Sequence, residues 1–393
     1  MTDGTAMTPM PAATDGSAME QKIRSALEKQ EYATVESLCR EMLVQSGPLH
    51  VWRWLVLALR QQGKAEEARP ILEMLVEQVP GNLEIRFDLA EVLLLLGEFG
   101  RGWREYKYRY SLGHTTHMDR KVQKPLWDGR RLSNQTLLIH DEQGFGDTFQ
   151  FLRLVEAAKE RSQARIVLQV RPEQEGFARR LGTSDDVILQ GDLPPDFDQH
   201  CHLMTLPMAL GLKMADLPGK IPYLSVDPAR LEKWQHRLKD VPRPLVGLVW
   251  AGRPTHLNDA NRSLSFAQLA PLADAGVTFV SVQKGDRAVD AQKPPKGMKL
   301  LNLSEEIDDF EDTAAILQVL DLLISVDSSP VHLAGALGCP AWVMLPFVPD
   351  WRWLLDCDDT PWYPSVRLFR QPSIGDWQSV MIHIRTALAE KFA

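Results

Sequence analysis

The chain has 393 residues, 44% hydrophobic and 24% charged, which suits two or three packed domains rather than a disordered or fibrous polymer. Its 44 Lys and Arg stand against 52 Asp and Glu, a net charge of −8, so no global positive field draws in a nucleic-acid backbone and no nucleic-acid partner is expected. The four cysteines, Cys39, Cys201, Cys339 and Cys357, form no C-x-x-C pair, which argues against a zinc site or a disulfide framework and points to a reducing cytoplasm.

Residues 1–18 mix small and polar types, lack the basic and apolar regions of a secretion signal, and are expected to form a flexible tail. No run approaches the ~20 apolar residues of a bilayer span, so no integral membrane contact is expected. A helical domain is predicted over 19–125. There Gly63 recurs as Gly97, 97 − 63 = 34 residues later, which is the period of one tetratricopeptide unit. Each glycine separates two helices, 51–59 from 65–79 and 87–96 from 101–110, and Pro80 closes the first pair. A poorer pair fits EKQEYATVESLCREML. Stacked units of this kind either offer a groove to a protein or peptide, or only cap the next domain.

After WDGRRL the pattern changes. Apolar, β-rich runs at 136–140, 165–170, 245–250, 277–282, 322–326 and 341–346 alternate with helical stretches, the signature of parallel βαβ units. The polar stretch 227–243 divides the runs and reads as a linker between two Rossmann-like lobes, 130–226 and 244–393, with a cleft between them.

Candidate chemistry collects at the ends of these strands, where open α/β sheets bind ligands. Gln143-Gly144-Phe145-Gly146-Asp147-Thr148 follows the first strand and opens a helix. Either its amides face an anion or sugar oxygens, or Asp147 only caps the helix. Trp250-Ala251-Gly252 leads into a loop carrying Arg253, His256, Asn258, Asp259 and Arg262. The planar fork of Arg262 suits a phosphate and equally suits an ion pair with Asp259. Lys284, between Gln283 and Gly285, could touch a diphosphate. The run from Asp309 through Asp312 and Thr313 is a capped helix start or a ribose holder. Asp327, Ser328 and Ser329 precede a helix with Pro330 in its first turn, which makes a diphosphate cradle or an ordinary cap, with His332 one turn inside. Trp351, Trp353, Trp362 and Tyr363 offer aromatic faces to a cleft or to a core. The D-x-D string Asp356-Cys357-Asp358 does not follow a nucleotide-binding unit and is not read as a metal site.

Taken together, GFGDTFQF, WAGRPTHLNDANRS, QKGD, DDFEDTAA, SVDSSPVHLAGALG and LPFVPDWRWLLDCDDTPWYPSVRLFRQ resemble the heptosyltransferase-like glycosyltransferases, in the bacterial group fused to tetratricopeptide repeats. The resemblance covers 130–393 and the repeat end GEFGRGWREYKYRY. It implies an α plus α/β chain in which the helical array precedes a GT-B fold. The first lobe would take the acceptor and the second the nucleotide-sugar, with no cofactor and no metal. It implies Asp147 as the base on the acceptor hydroxyl; the sequence leaves open whether His140, Glu142 or His332 shares that task. Gln143, Gly144, Gly146 and Thr148 would lie on the acceptor side. Trp250, Gly252, Arg262, Lys284, Asp312, Thr313, Asp327, Ser328, Ser329 and His332 would hold the donor. The order of parts is also similar to protein O-GlcNAc transferase, with His332 standing where that family places an acidic ribose-binding residue. The implied activity is inverting sugar transfer to a hydroxyl of a protein, such as a flagellin-like polypeptide, or of a glycan. The alternatives are a non-catalytic tetratricopeptide adaptor with a degenerate transferase domain and a sugar-nucleotide epimerase.

Overall fold

A computed structural model of the chain describes residues 18–43, 47–113, 115, 122–256 and 258–393. The tail expected at the N-terminus lies outside the described residues except for Ala18, which opens the first helix. The described part divides into two units, one of helices and one of sheets.

The helical unit is built from α1 (Ala18–Glu28), α2 (Tyr32–Met42), α3 (Leu49–Gln61), α4 (Ala65–Gln78), α5 (Leu83–Leu95) and α6 (Phe99–Tyr106). They pack in consecutive pairs, as the 34-residue period predicts. Gly63 and Gly97 turn the chain after α3 and α5 at φ +73° and +78°, the left-handed region that glycine enters without steric cost. Trp54, Leu55, Leu59, Ala68, Leu72 and Leu75 are at most 3% exposed and form the core of the array. The short segment Val348–Leu355 belongs to this unit, because Trp351 sets its ring edge-on to Trp103 at 5.2 Å and to Tyr106 at 5.9 Å. A buried ion cluster joins α3 to α5, with Arg60 donating to Asp88 at 2.8 Å and to Glu91 at 2.5 Å. Burial pushes the Glu91 carboxyl up to about 7 against the opposing pull of Arg60.

The first lobe of the second unit runs β1 (Thr136–His140), α7 (Phe145–Phe151), α8 (Leu154–Ser162), β2 (Arg165–Val170), α9 (Glu175–Leu181), β3 (Asp186–Leu189), β4 (Gln199–His202) and α10 (Leu206–Leu210). The second lobe runs α11 (Pro228–Leu238), β5 (Leu245–Val249), α12 (Asp259–Arg262), β6 (Thr278–Ser281), β7 (Leu300–Asn302), α13 (Phe310–Val319), β8 (Leu322–Val326), α14 (Ser329–Leu337), β9 (Ala341–Leu345), β10 (Val366–Arg370) and α15 (Trp377–Lys391).

Both sheets are parallel. The first has the order β3-β2-β1-β4 and the second β10-β9-β8-β5-β6-β7. Renumbered from its own first strand, the second sheet reads 3-2-1-4-5-6, the doubly wound order of dinucleotide-binding folds. In each lobe the strand order reverses beside the first strand, between β1 and β4 and between β5 and β8. Crevices open at the carboxyl ends of such reversal points. The architecture expected from the sequence, a tetratricopeptide-like array and two parallel-sheet lobes, is the one found. The polar stretch 227–243 carries α11, whose fully buried Trp234 ties it to α13 through Asp312.

Candidate functional site

The second lobe supplies one wall of the site at the β5–β8 reversal. β8 ends at Val326, and the chain passes through Asp327 and Ser328 into α14. Ser328 would be the natural cap, yet its hydroxyl turns back to the Val326 carbonyl at 3.1 Å and to Ser325 Oγ at 3.1 Å. The Ser328 side chain does not cap α14; Pro330 has no N–H and the Val331 amide donates to the Ser328 carbonyl at 3.0 Å, so the Ser329 amide and the positive end of the helix dipole are what this start offers to a ligand.

Arg262 reaches the same place from α12. Its Nη1 donates to the Asp327 carbonyl at 3.1 Å, and its Nε lies 3.4 Å from Asp259 Oδ1. The guanidinium lies so close to Gly252 that a Cβ there would stand 2.5 Å from Nη2. The Arg262 and Asp259 side chains thus pack directly over Gly252. The ion pair weighed for Arg262 is present, and its guanidinium stands beside the start of α14.

Four residues expected at the donor are engaged within the fold. Trp250 is fully buried against Phe266 at 4.3 Å, and its amide and that of Ala251 both donate to Gln283 Oε1 at 3.0 Å. Its indole therefore belongs to the core. The Lys284 ammonium donates to the Ser304 and Ile307 carbonyls at 2.7 Å each. Asp312 is fully buried; its Oδ1 accepts from Trp234 Nε1 at 2.7 Å, Arg230 at 3.0 Å and Lys233 at 3.2 Å, and its Oδ2 accepts from the Asp308 amide at 3.0 Å. Burial raises the Asp312 pKa, but these bonds and the Arg230 charge outweigh it and hold the carboxyl below its ordinary value. Asp312 therefore clamps α11 to α13 instead of facing a ribose, and Thr313 hydrogen-bonds the Asp309 carbonyl at 3.1 Å.

The first lobe supplies the other wall. Gln143 takes φ +57°, and its carbonyl accepts from Arg171. Gly144 precedes α7, and Asp147, third in that helix, accepts the Gly144 amide at 2.8 Å. Asp147 is 1% exposed and Thr148 is fully buried. Glu142 takes the Met204 amide at 2.9 Å, which fixes it at the start of the segment after β4.

The two walls touch. A Cβ on Gly146 would stand 2.9 Å from His332 Cδ2 and 3.5 Å from Ser329 Cα, so the starts of α7 and α14 converge. His332 Nδ1 shares a hydrogen bond with Tyr363 Oη at 3.0 Å, and its Nε2 lies 3.8 Å from Asp327 Oδ1. Further cross-lobe contacts that the sequence does not announce hold this closure. Arg180 grips Glu311 with one nitrogen, 2.8 and 2.6 Å from its two oxygens. Phe145 meets Phe310 at 5.0 Å, and Arg153 lies 5.0 Å from the Tyr363 ring centre and donates to the Trp362 carbonyl at 2.9 Å. The aromatic run is divided by the fold, with Trp351 and Trp353 in the helical unit and Trp362 and Tyr363 buried beside α14 and α7.

Residues 49–92 match the tetratricopeptide-repeat family model, so the N-terminal region carries that repeat. The chain is 30% identical over 339 residues to Protein FlbA of Caulobacter vibrioides, a match covering 79% of this chain and 56% of that protein. It thus spans about half the length of the curated relative it matches. Among solved structures it is similar to E. coli ADP-heptose LPS heptosyltransferase II, with a TM-score of 0.47, 14% identity and coverage of 66% of this chain and 100% of that chain. It is also similar to a Thermobaculum terrenum O-GlcNAc transferase, with a TM-score of 0.31, 13% identity and coverage of 95% and 93%. Among the described residues, no helix is long and apolar enough to cross a membrane.

Proposed function

We propose that this chain is a glycosyltransferase that moves a sugar from a nucleotide-activated donor to a hydroxyl group, working in the cytoplasm. The observation that carries the reading is the uncapped start of α14 at the β5–β8 reversal of a 3-2-1-4-5-6 sheet, with Arg262 beside it and the Asp147 turn against it.

In this reading the donor diphosphate lies at the start of α14 on the Ser329 amide and hydroxyl, with the Arg262 guanidinium alongside. Asp147 takes the proton of the acceptor hydroxyl as its oxygen attacks the anomeric carbon. The bond from that carbon to the diphosphate breaks, and its electron pair leaves on the diphosphate oxygen. One displacement inverts the anomeric centre. The positive end of the α14 dipole and the guanidinium supply the charge that the leaving group needs, so the diphosphate itself requires no metal. The Gly144 amide orients the Asp147 carboxylate. Since Asp147 is 1% exposed, the acceptor reaches it only when the turn before α7 opens.

The tetratricopeptide repeat supports a protein acceptor, presented by the helical array, such as a flagellin-like polypeptide. The test is to incubate the full chain with nucleotide-sugars and polypeptide acceptors and to follow the acceptor's mass. A gain of one sugar residue, lost with Asp147→Asn, supports the proposal. One observation favours the second reading, a non-catalytic adaptor: Lys284 and Asp312 serve packing. Failure to bind any nucleotide or nucleotide-sugar would decide for the adaptor.

A further inference from the structure

The reversal point of the first lobe holds a second concentration of chemistry, which the transfer reading does not use. β1 and β4 pair in parallel with Leu138 opposite His200 and His140 opposite His202. Side chains two residues apart on a strand share a face, so the β1–β4 pairing gathers His140, His200 and His202 on one face at the carboxyl ends of the two strands. Their ring centres lie 5.3 Å (140 to 200), 4.3 Å (140 to 202) and 5.6 Å (200 to 202) apart. His140 Nε2 is 3.0 Å from His200 Nδ1, and one ring nitrogen from each residue lies within 4.8 Å of the other two. The three are 1%, 6% and 7% exposed.

A neutral imidazole presents the lone pair that zinc and its first-row neighbours bind. An ion at ~2.0–2.1 Å from each nitrogen, in tetrahedral array, sets the nitrogens roughly 3.3–3.4 Å apart. The 3.0 Å pair is already near that span, and the third residue offers a nitrogen within 4.8 Å of the others. The backbone beneath is firmly held. His200 donates its amide to the Pro125 carbonyl at 3.1 Å and accepts from the Trp127 amide at 2.8 Å, and the Asp141 amide donates to the Gln169 carbonyl at 2.9 Å.

We propose that His140, His200 and His202 bind one divalent first-row transition-metal ion, zinc being the type. The ion would stitch the ends of β1 and β4 together where the chain turns toward Asp147, and three imidazoles leave a fourth position for water or another oxygen ligand. The site lies apart from the β5–β8 cradle proposed for the diphosphate. Its test reads the metal and not transfer, so it stands or falls separately from the transferase reading.

The experiment uses the full chain without a histidine tag, stripped with a chelator and titrated with Co²⁺ while the visible spectrum is followed, then with Zn²⁺ in competition. The expected result is one Co²⁺ per chain with the strong d–d bands of a tetrahedral site, displaced by Zn²⁺. His200→Gln and His202→Gln should each weaken binding at least ~100-fold, since each removes one of three ligands that together supply the binding free energy. His383→Gln, on the exposed face of α15, should bind as the wild type does. Absence of the bands at stoichiometric Co²⁺, or their persistence in the His200→Gln/His202→Gln double variant, would overturn the proposal. Where a variant fails to fold, melting of the wild type decides: Zn²⁺ raises the midpoint if the site exists and leaves it unchanged if it does not.

Discussion

Gly146 and His332 stand in contact across the two lobes, so close that a methyl group on Gly146 would lie 2.9 Å from His332 Cδ2. The helix starts that carry Asp147 and Ser329 approach only because residue 146 has no side chain. Gly146→Ala is therefore expected to force α7 and α14 apart at a cost of about 1–3 kcal/mol. It should lower the melting temperature and weaken donor binding together. An unaltered midpoint and affinity would show that the two starts are not in tight contact.

Asp147→Asn separates capping from catalysis. Asparagine keeps an oxygen for the Gly144 amide, which Asp147 accepts at 2.8 Å, so the fold of the turn is retained. It cannot take a proton. Turnover should fall roughly 10²–10⁴-fold with donor affinity unchanged, measured by single-turnover kinetics and calorimetry. Full turnover in the variant would leave Asp147 as a cap alone.

Asp312→Ala removes the acceptor for Trp234, Arg230 and Lys233. The loss should be about 1–3 kcal/mol, set chiefly by the stranded Trp234 N–H, because Arg230 and Lys233 retain 34% and 47% side-chain exposure to water. Donor affinity should not change. Weaker donor binding with an unchanged melting curve would return Asp312 to the ribose role.

The Glu91 carboxyl is raised by burial to about 7 in the folded helical unit, above its ordinary value of 4.5. A raised acid contributes stability that is full below its unfolded pKa and is lost as pH climbs through the folded one, here from about 4.5 to about 7. Glu91→Gln should therefore gain midpoint relative to the wild type between pH 5 and pH 8, by an amount worth up to about 3 kcal/mol. Thermal melting of the full chain at both pH values checks this. A gap between variant and wild type that is constant with pH would contradict it.

Much of the fold was legible because its signals are local. The 34-residue spacing of Gly63 and Gly97 and the runs TLLIH, RIVLQV and LLISV carry their periods within a few residues, and the structure places β1, β2 and β8 on those three runs. The strands that escaped are β3, β4, β7 and β10; β10, VRLFR, mixes charged with apolar residues, and the other three have four residues or fewer. QHCH in β4 has three polar residues of four, and β7 spans only Leu300–Asn302. The loss of β4 hid the histidine cluster, whose one sequence signal, H-x-H at the strand period of two, means nothing until β1 lies beside it. The same limit applies to Asp312, whose partner Trp234 is 78 residues away, and to the Arg180–Glu311 clamp, separated by 131. Side-chain partners at such distances leave no pattern in a single sequence.

The most direct test of the central claim is calorimetric titration of the full chain, with EDTA present, against ADP-, UDP-, GDP- and CMP-linked sugars and the free nucleotides, with Arg262→Ala alongside. The account predicts micromolar binding of one nucleotide class by the wild type and at least ~10-fold weaker binding by Arg262→Ala, the loss of one charge-assisted contact. No binding to any of them, or equal binding by the variant, would contradict a diphosphate cradle at the start of α14.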